Sequence, residues 1–165
     1  MAKRKRRSTA QLSHVDARGR VRMVDVGEKA DTDREATAAA EIRVSRTALR
    51  AVRSGAVKKG DPLQTARLAG IMAAKRTADM IPLCHPLRLS YIDVEIAPTT
   101  WGYRLSATVR TRGKTGVEME ALAAVSVAAL TIYDMLKAID KTMVIDRVRV
   151  MEKRGGRSGL YRRSD

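Results

Sequence analysis

The order of hydrophobic patterns along the chain predicts an α+β fold of the ferredoxin-like kind, an antiparallel sheet with helices packed on one face. Three observations carry this expectation. A stretch that alternates apolar and polar residues is followed by two helix patterns; a hairpin of two further alternating stretches sits mid-chain; and a long apolar helix pattern then leads into a last strand. Split at the hairpin, that order is βαβ followed by βαβ. A length of 165 residues suits one domain with a real core.

Residues 1–11 (MAKRKRRSTAQ) have no apolar periodicity and read as a disordered basic tail ahead of a single domain over 12–160. Residues 12–33 hold a turn at Ala17-Arg18-Gly19 and little regular structure. From Arg34 to Val44 every second residue is apolar (Ala36, Ala38, Ala40, Ile42, Val44), the period of a half-buried strand, although so many alanines leave a helix open as the alternative. Ser45 caps a short helix with Leu49 and Val52 on one face and Gly55 as its stop. Asp61 followed by Pro62 is an N-cap with proline at the first helical position, opening a helix that continues to about Met80. Residues 87–97 and 103–111 alternate around a turn at Pro98–Gly102. A helix from about Val117 to Ile139 is apolar on nearly all sides between Ala121 and Tyr133, which implies burial on all sides. Met143 to Met151 is the last strand; the tail after it is rich in glycine and arginine, and 161–165 read as a flexible C-terminus.

Composition adds a constraint. The chain is 44% apolar but has no Phe, one Trp and four Tyr, with many Ala and Val. Small side chains allow close layers yet bury little area each, which favours further burial between subunits. The formal charge is +15; removing the five positive charges at Lys3, Arg4, Lys5, Arg6 and Arg7 leaves +10 on the rest. Such a balance asks for anionic partners or serves solubility. A single cysteine, Cys84, excludes an intramolecular disulfide and makes a reducing compartment the default. No apolar run reaches the roughly 20 residues of a membrane span, and no apolar stretch follows the basic start, so the cytoplasm is the expected location.

Several clusters could carry chemistry. Arg112-Gly113-Lys114-Thr115-Gly116 invites a phosphate-loop reading, but position 108 is threonine where that motif needs glycine, and a parallel sheet is missing from the element order. What remains is a lysine flanked by glycines before a helix N-terminus, either solvated or near an anion. Glu118 and Glu120 in the first turn of that helix either complement its dipole, or accept hydrogen bonds from a guanine-like edge or take part in proton transfer. Asp134 and Lys137 share a helix face as an ordinary i,i+3 pair; following an apolar run, they could be partly buried with shifted pKa values. Glu120 and Asp134 are 14 residues apart, about 21 Å along a continuous helix. One small substrate in one subunit could not easily touch both. Either Glu118 and Glu120 precede the helix, or a site combines two chains.

Leu83-Cys84-His85-Pro86 lies between a helix and a strand, where functional loops sit. Adjacent Cys84 and His85, with His14 the only other histidine, make a poor zinc set, and nothing nearby would lower the thiol pKa. His85 fits a phosphate donor, an acid–base group or a structural residue equally. Lys58, Lys59, Arg67, Lys75 and Arg76 form a basic face, solvated or clamping a polyphosphate.

MVDV at 23–26, KGD at 59–61, AAKRT at 73–77, IPLCHPL at 81–87, GKTGVEMEAL at 113–122, AVSVAALTIYDM at 124–135 and GGRSG at 155–159 resemble the cyclic pyranopterin monophosphate synthases, the molybdenum cofactor biosynthesis protein C family. The resemblance spans roughly residues 12–160 and leaves out the basic tail. It implies a ferredoxin-like subunit in a homohexamer, a trimer of dimers, with active sites between subunits. It implies a lyase that converts 3′,8-cyclo-7,8-dihydroguanosine triphosphate to cyclic pyranopterin monophosphate and diphosphate, with no obligatory metal or organic cofactor. By position, Asp134 and Lys137 match the catalytic pair, assisted by Lys59. Leu83, Cys84, His85, Glu118, Met119 and Glu120 match the substrate contacts, and Lys153 a further basic residue of the site. A nucleic-acid-binding module, suggested by the charge and the tail, is disfavoured by the scarcity of aromatics for base stacking. A non-catalytic scaffold for other enzymes would leave Asp134 and Lys137 dispensable.

Overall fold

A computed structural model of the chain describes residues 18–164; the basic tail and His14 lie outside them. The elements are β1 (Thr32–Arg43), α1 (Arg46–Arg53), α2 (Pro62–Lys75), α3 (Thr77–Met80), β2 (Leu89–Pro98), β3 (Gly102–Gly113), α4 (Glu118–Leu136), β4 (Val144–Arg154) and β5 (Tyr161–Arg162). The strands form one sheet in the order β2-β3-β1-β4-β5, with every neighbouring pair antiparallel. The long helices α2 and α4 pack together and lie across one face of that sheet. This is the expected ferredoxin-like arrangement.

β1 is the strand its period of two predicts: Ala36, Ala38, Ala40 and Ile42 are all buried, facing α4. A helix would have scattered those side chains around its circumference. The capping predictions match the contacts. The Ser45 hydroxyl accepts from Ala48 N–H at 3.3 Å, and Asp61 Oδ1 accepts from Leu63 and Gln64 N–H at 2.9 and 3.1 Å. α2 stops sooner than the expected Met80, at Lys75. There the Thr77 hydroxyl donates to the Ala73 and Ala74 carbonyls, and Arg76 leaves the helical region before α3 begins. At the other end of the helical layer, the buried Asp140 accepts from Ser45 N–H at 2.7 Å and from the Thr142 amide and hydroxyl, tying the turn after α4 to the start of α1.

α4 departs from expectation in one respect. Ala121, Ala124, Val125, Ala128, Ala129 and Ile132 are fully buried, but Leu130 on the outer side is 58% exposed. The helices form a single layer, and among the described residues nothing covers Leu130 on its outside. Leu68 and Met72, one turn apart on α2, are exposed too. At 19 residues and a mean hydropathy of 1.5, α4 has the length and composition of a membrane span, closer to one than the sequence reading allowed; its inner face is nonetheless part of the core. The C-terminus also differs from expectation, since Tyr161 and Arg162 pair with Lys153 and Glu152 instead of hanging free.

Small residues set the layer spacing. A Cβ on Gly70 would lie 2.9 Å from the Ala124 carbonyl oxygen and 3.3 Å from the Ala128 methyl. The obstacle is helix backbone, which cannot swing aside. Gly70→Val should therefore cost about 1–3 kcal/mol of stability, measured as a lower urea midpoint; an unchanged midpoint would show that the two helices can part freely.

Candidate functional site

Three segments meet around a cavity of about 420 Å³ beside the first turn of α4. The irregular stretch before β1 supplies Val24, Val26 and Lys29, the loop after α3 supplies Leu83, Cys84 and His85, and the β3–α4 connection with the helix start supplies Thr115, Gly116, Glu118, Met119 and Glu120. The loop is folded by a turn in which Cys84 N–H bonds the Ile81 carbonyl at 3.0 Å. His85 Nε2 lies 3.0 Å from the Val24 carbonyl. A carbonyl can only accept, so Nε2 carries the proton and Nδ1 is the ring's other nitrogen.

The helix start explains the electrostatics. Val117 occupies the N-cap without a side-chain acceptor, and Glu120 turns its carboxylate back to its own N–H. Glu120 is 4% exposed. Burial, with a smaller push from Glu118, raises its pKa above the ordinary 4.5 despite that hydrogen bond. It is therefore suited to share or exchange a proton in the cavity. Burial and the nearby Glu120 raise the Cys84 pKa as well, which makes Cys84 a wall of the cavity and not a nucleophile. Lys153 reaches over from β4 to within 3.5 Å of Glu118 Oε1 and also bonds the Ser158 hydroxyl.

The far end of α4 holds a second cluster. Lys137 Nζ is 2.7 Å from Asp134 Oδ1, and Lys59 Nζ is 2.8 Å from Oδ2. Lys59 also donates to the Asp134 carbonyl at 3.1 Å, so it caps the helix end as well as pairing with the side chain. Hydrogen bonds first from Lys137 and then from Lys59 pull the Asp134 pKa down to about 2, and Asp134 in turn raises that of Lys137. Of the two readings the sequence left open, exposed pair or partly buried pair, the structure has the first: the side chains of Asp134 and Lys137 are each 54% exposed, and pairing is the leading cause of both shifts. At neutral pH this cluster is one carboxylate between two ammonium groups, with a net positive charge.

A model described as the MoaC family matches residues 23–156. The chain belongs to the MoaC family. A Chloroflexus aggregans protein is 59% identical over 160 residues, spanning 96% of this chain and 97% of its own length. A Nostoc sp. protein is 55% identical over 157 residues, 94% of each chain, and one from Novosphingobium aromaticivorans is 56% identical over 154 residues, 93% and 98%. All three bear the name cyclic pyranopterin monophosphate synthase.

The region matched to the MoaC family contains both clusters, and α4 keeps them apart. Glu118 and Glu120 do not precede the helix; they lie in its first turn, so the 14-residue separation from Glu120 to Asp134 is about 21 Å of continuous α-helix. Leu83, Cys84, His85, Glu118, Met119, Glu120 and Lys153 come together at one end, and Lys59, Asp134 and Lys137 at the other. Arg67 Nε donates to the Val94 carbonyl at 2.8 Å, fastening α2 to β2. Among the described residues no group of three or more His, Cys, Asp or Glu could hold a metal ion.

Two residues near the MoaC cavity escaped the sequence reading. Lys29 lines both this cavity and a neighbouring one of about 890 Å³, where it joins Arg34, Arg157, Asp25, Glu28 and Thr32. Arg34, in β1, donates to the Gly113 and Lys114 carbonyls, each at 3.3 Å. A Cβ on Gly156, where φ is +71°, would fall 1.7 Å from Arg34 Nη1, so Gly156 leaves space for this guanidinium, while Gly155 lies against the Asp33 carbonyl. The double glycine of the GGRSG motif at 155–159 is the signal in the sequence that a close approach occurs here.

Two titration predictions follow from these environments. The Asp134 pKa is depressed, so its contribution to stability is present above the unfolded value of 3.8 and lost as pH falls through about 2. Carboxyl NMR should find that titration near 2 and see it rise in Lys59→Ala. For Glu120 the sign reverses: stability is full below its ordinary 4.5 and declines as pH climbs through the raised value. Glu120→Gln removes that decline, so its melting temperature should gain on the parent protein's as pH rises from 4.5; a gap independent of pH would contradict the assignment.

Proposed function

We propose that this chain is a cyclic pyranopterin monophosphate synthase. In this reading it is a phosphorus–oxygen lyase acting in the cytoplasm, in molybdenum cofactor biosynthesis. It converts 3′,8-cyclo-7,8-dihydroguanosine triphosphate to cyclic pyranopterin monophosphate and releases diphosphate. The observation that carries the reading is the cavity where the Leu83–His85 loop faces Glu118 and Glu120, inside a chain whose near-full-length relatives bear that name.

Each group has a physical task. Glu118 and Glu120 hydrogen-bond the guanine-derived edge, and burial makes Glu120 readier than an ordinary glutamate to hold a proton there. Leu83, Cys84 and Met119 supply apolar wall. Lys153, Lys29, Arg34 and Arg157 supply positive charge for the phosphates. Asp134 is too acidic to serve as the general base; its role is to anchor Lys137, which as an ammonium donates protons while the five-membered ring opens and the pterin ring closes. Lys59 keeps Asp134 ionised. In the last step a sugar hydroxyl attacks the innermost phosphorus, the bond to the bridging oxygen breaks, and diphosphate leaves with the hydroxyl proton. No metal or organic cofactor is assigned a part.

Because about 21 Å of helix separates the clusters, the complete site is proposed to form between subunits, with one chain giving the Glu118 end and another the Asp134 end. The uncovered Leu68, Met72 and Leu130 favour such packing, and a homohexamer built as a trimer of dimers is the proposed assembly.

Purified protein given the cyclised nucleotide should release diphosphate; a lack of release under conditions where a relative is active would refute the function. Lys137→Ala should slow turnover by roughly 10²–10⁴-fold with the melting temperature kept, and near-normal release would remove Lys137 from its role. Lys137→Ala and Glu120→Ala, each inactive alone, should regain activity when co-assembled, and failure to do so in verified mixed oligomers would argue for a site within one chain.

A further inference from the structure

We propose that Lys114 is a positioning residue that straps the 22–31 segment across the cavity, acting through the main-chain carbonyl of Gly27. The proposal rests on the reading of that cavity as the substrate site. Lys114 sits where a phosphate loop would put its phosphate-binding lysine, yet it is not among the residues that line the cavity. Its ammonium group instead donates to the Gly27 carbonyl, 87 residues away in sequence.

Between Arg22 and Asp31 the chain has neither helix nor strand, so its position depends on what it touches. Two contacts arrive from separate parts of the chain, the loop after α3 and the β3–α4 connection. His85 Nε2–H donates to the Val24 carbonyl at 3.0 Å, and Lys114 donates to that of Gly27. Between those points the segment is stiffened from within: Asp25 Oδ1 accepts from Gly27 N–H at 2.8 Å, and Lys29 N–H bonds the Val26 carbonyl at 3.0 Å. Fixing Gly27 therefore fixes Lys29, the one residue shared by the two cavities. Lys114 itself stands on firm ground, because Arg34 holds the carbonyls of Gly113 and Lys114 from β1. The path runs from the sheet through the glycine-flanked loop to the segment, and it ends on a cation facing the substrate space. A charge-assisted bond to a carbonyl suits this task, since it is strong for a single contact and breaks without disturbing the core.

The test compares the full chain with Lys114→Met, which keeps the stem and loses the charge, and with Lys114→Arg. In hydrogen exchange followed by mass spectrometry, Lys114→Met should exchange residues 22–31 faster by roughly tenfold or more, the loss expected for one hydrogen bond to a charged group. The β1 and α4 peptides should be unchanged, and Lys114→Arg should restore most of the protection. In diphosphate release from the cyclised nucleotide, Lys114→Met should raise KM by a similar factor with kcat largely kept. Unchanged exchange in the 22–31 segment would overturn the proposal, as would a fall in kcat at constant KM, which would make Lys114 a participant in the chemistry. If the parent protein released no diphosphate, the functional reading would fall, while the exchange result would still decide whether the strap exists.

Discussion

The constraint on which the helical layer rests is the crossing of α2 over α4, where Gly70 lies against the Ala124 carbonyl with no space for a side chain. Much else depends on it. With the helices this near, the inner face of α4 can consist of alanine and valine, and β1 can answer with Ala36, Ala38 and Ala40. A chain without phenylalanine thereby obtains a dense core from many small contacts instead of a few large ones. The same crossing aims α4, so that its first turn faces the Leu83–His85 loop while its last turn meets Lys59.

The two ends of α4 show how one helix can hold acids in opposite conditions. At the start, Glu120 is taken from water and is short of cationic help, so its proton is retained more readily. Toward the end, Asp134 remains in water but is gripped by two lysines, so its proton is given up more readily. Burial governs the first and pairing the second. The +15 charge of the chain is thus not uniform in effect: two lysines grip Asp134 directly, whereas at the other end Lys153 pairs with Glu118 and burial governs Glu120.

Much of the fold was legible because its signals are local and redundant. The alternation of β1, the Ser45 and Asp61 caps and the Pro98–Gly102 turn each need only a few neighbouring residues to be read. The early end of α2 was not, since it depends on the Thr77 hydroxyl taking up the Ala73 and Ala74 carbonyls, and threonine is compatible with either outcome. Nor could an apolar pattern say which side of α4 would be covered within its own chain; Leu130 resembles its neighbours in sequence and differs from them only in what lies opposite. The site followed the same division. Asp134 and Lys137 were visible as an i,i+3 pair, but their exposure was not, and the functional meaning of Lys29 and Arg34 required the folded chain. Arg34 grips carbonyls 79 and 80 residues away, a relation without any local trace.

α4 is also a spacer, and its length is more constrained than its composition. Because side chains advance by about 100° and 1.5 Å per residue, one residue inserted between Glu120 and Asp134 would swing the carboxylate away from Lys59 and carry the helix end past its seat on the loop. A substitution of valine for alanine along the same stretch disturbs packing only locally. A substitution on this helix is therefore felt where it packs, most sharply at the Gly70 crossing, while an insertion or deletion displaces both ends at once.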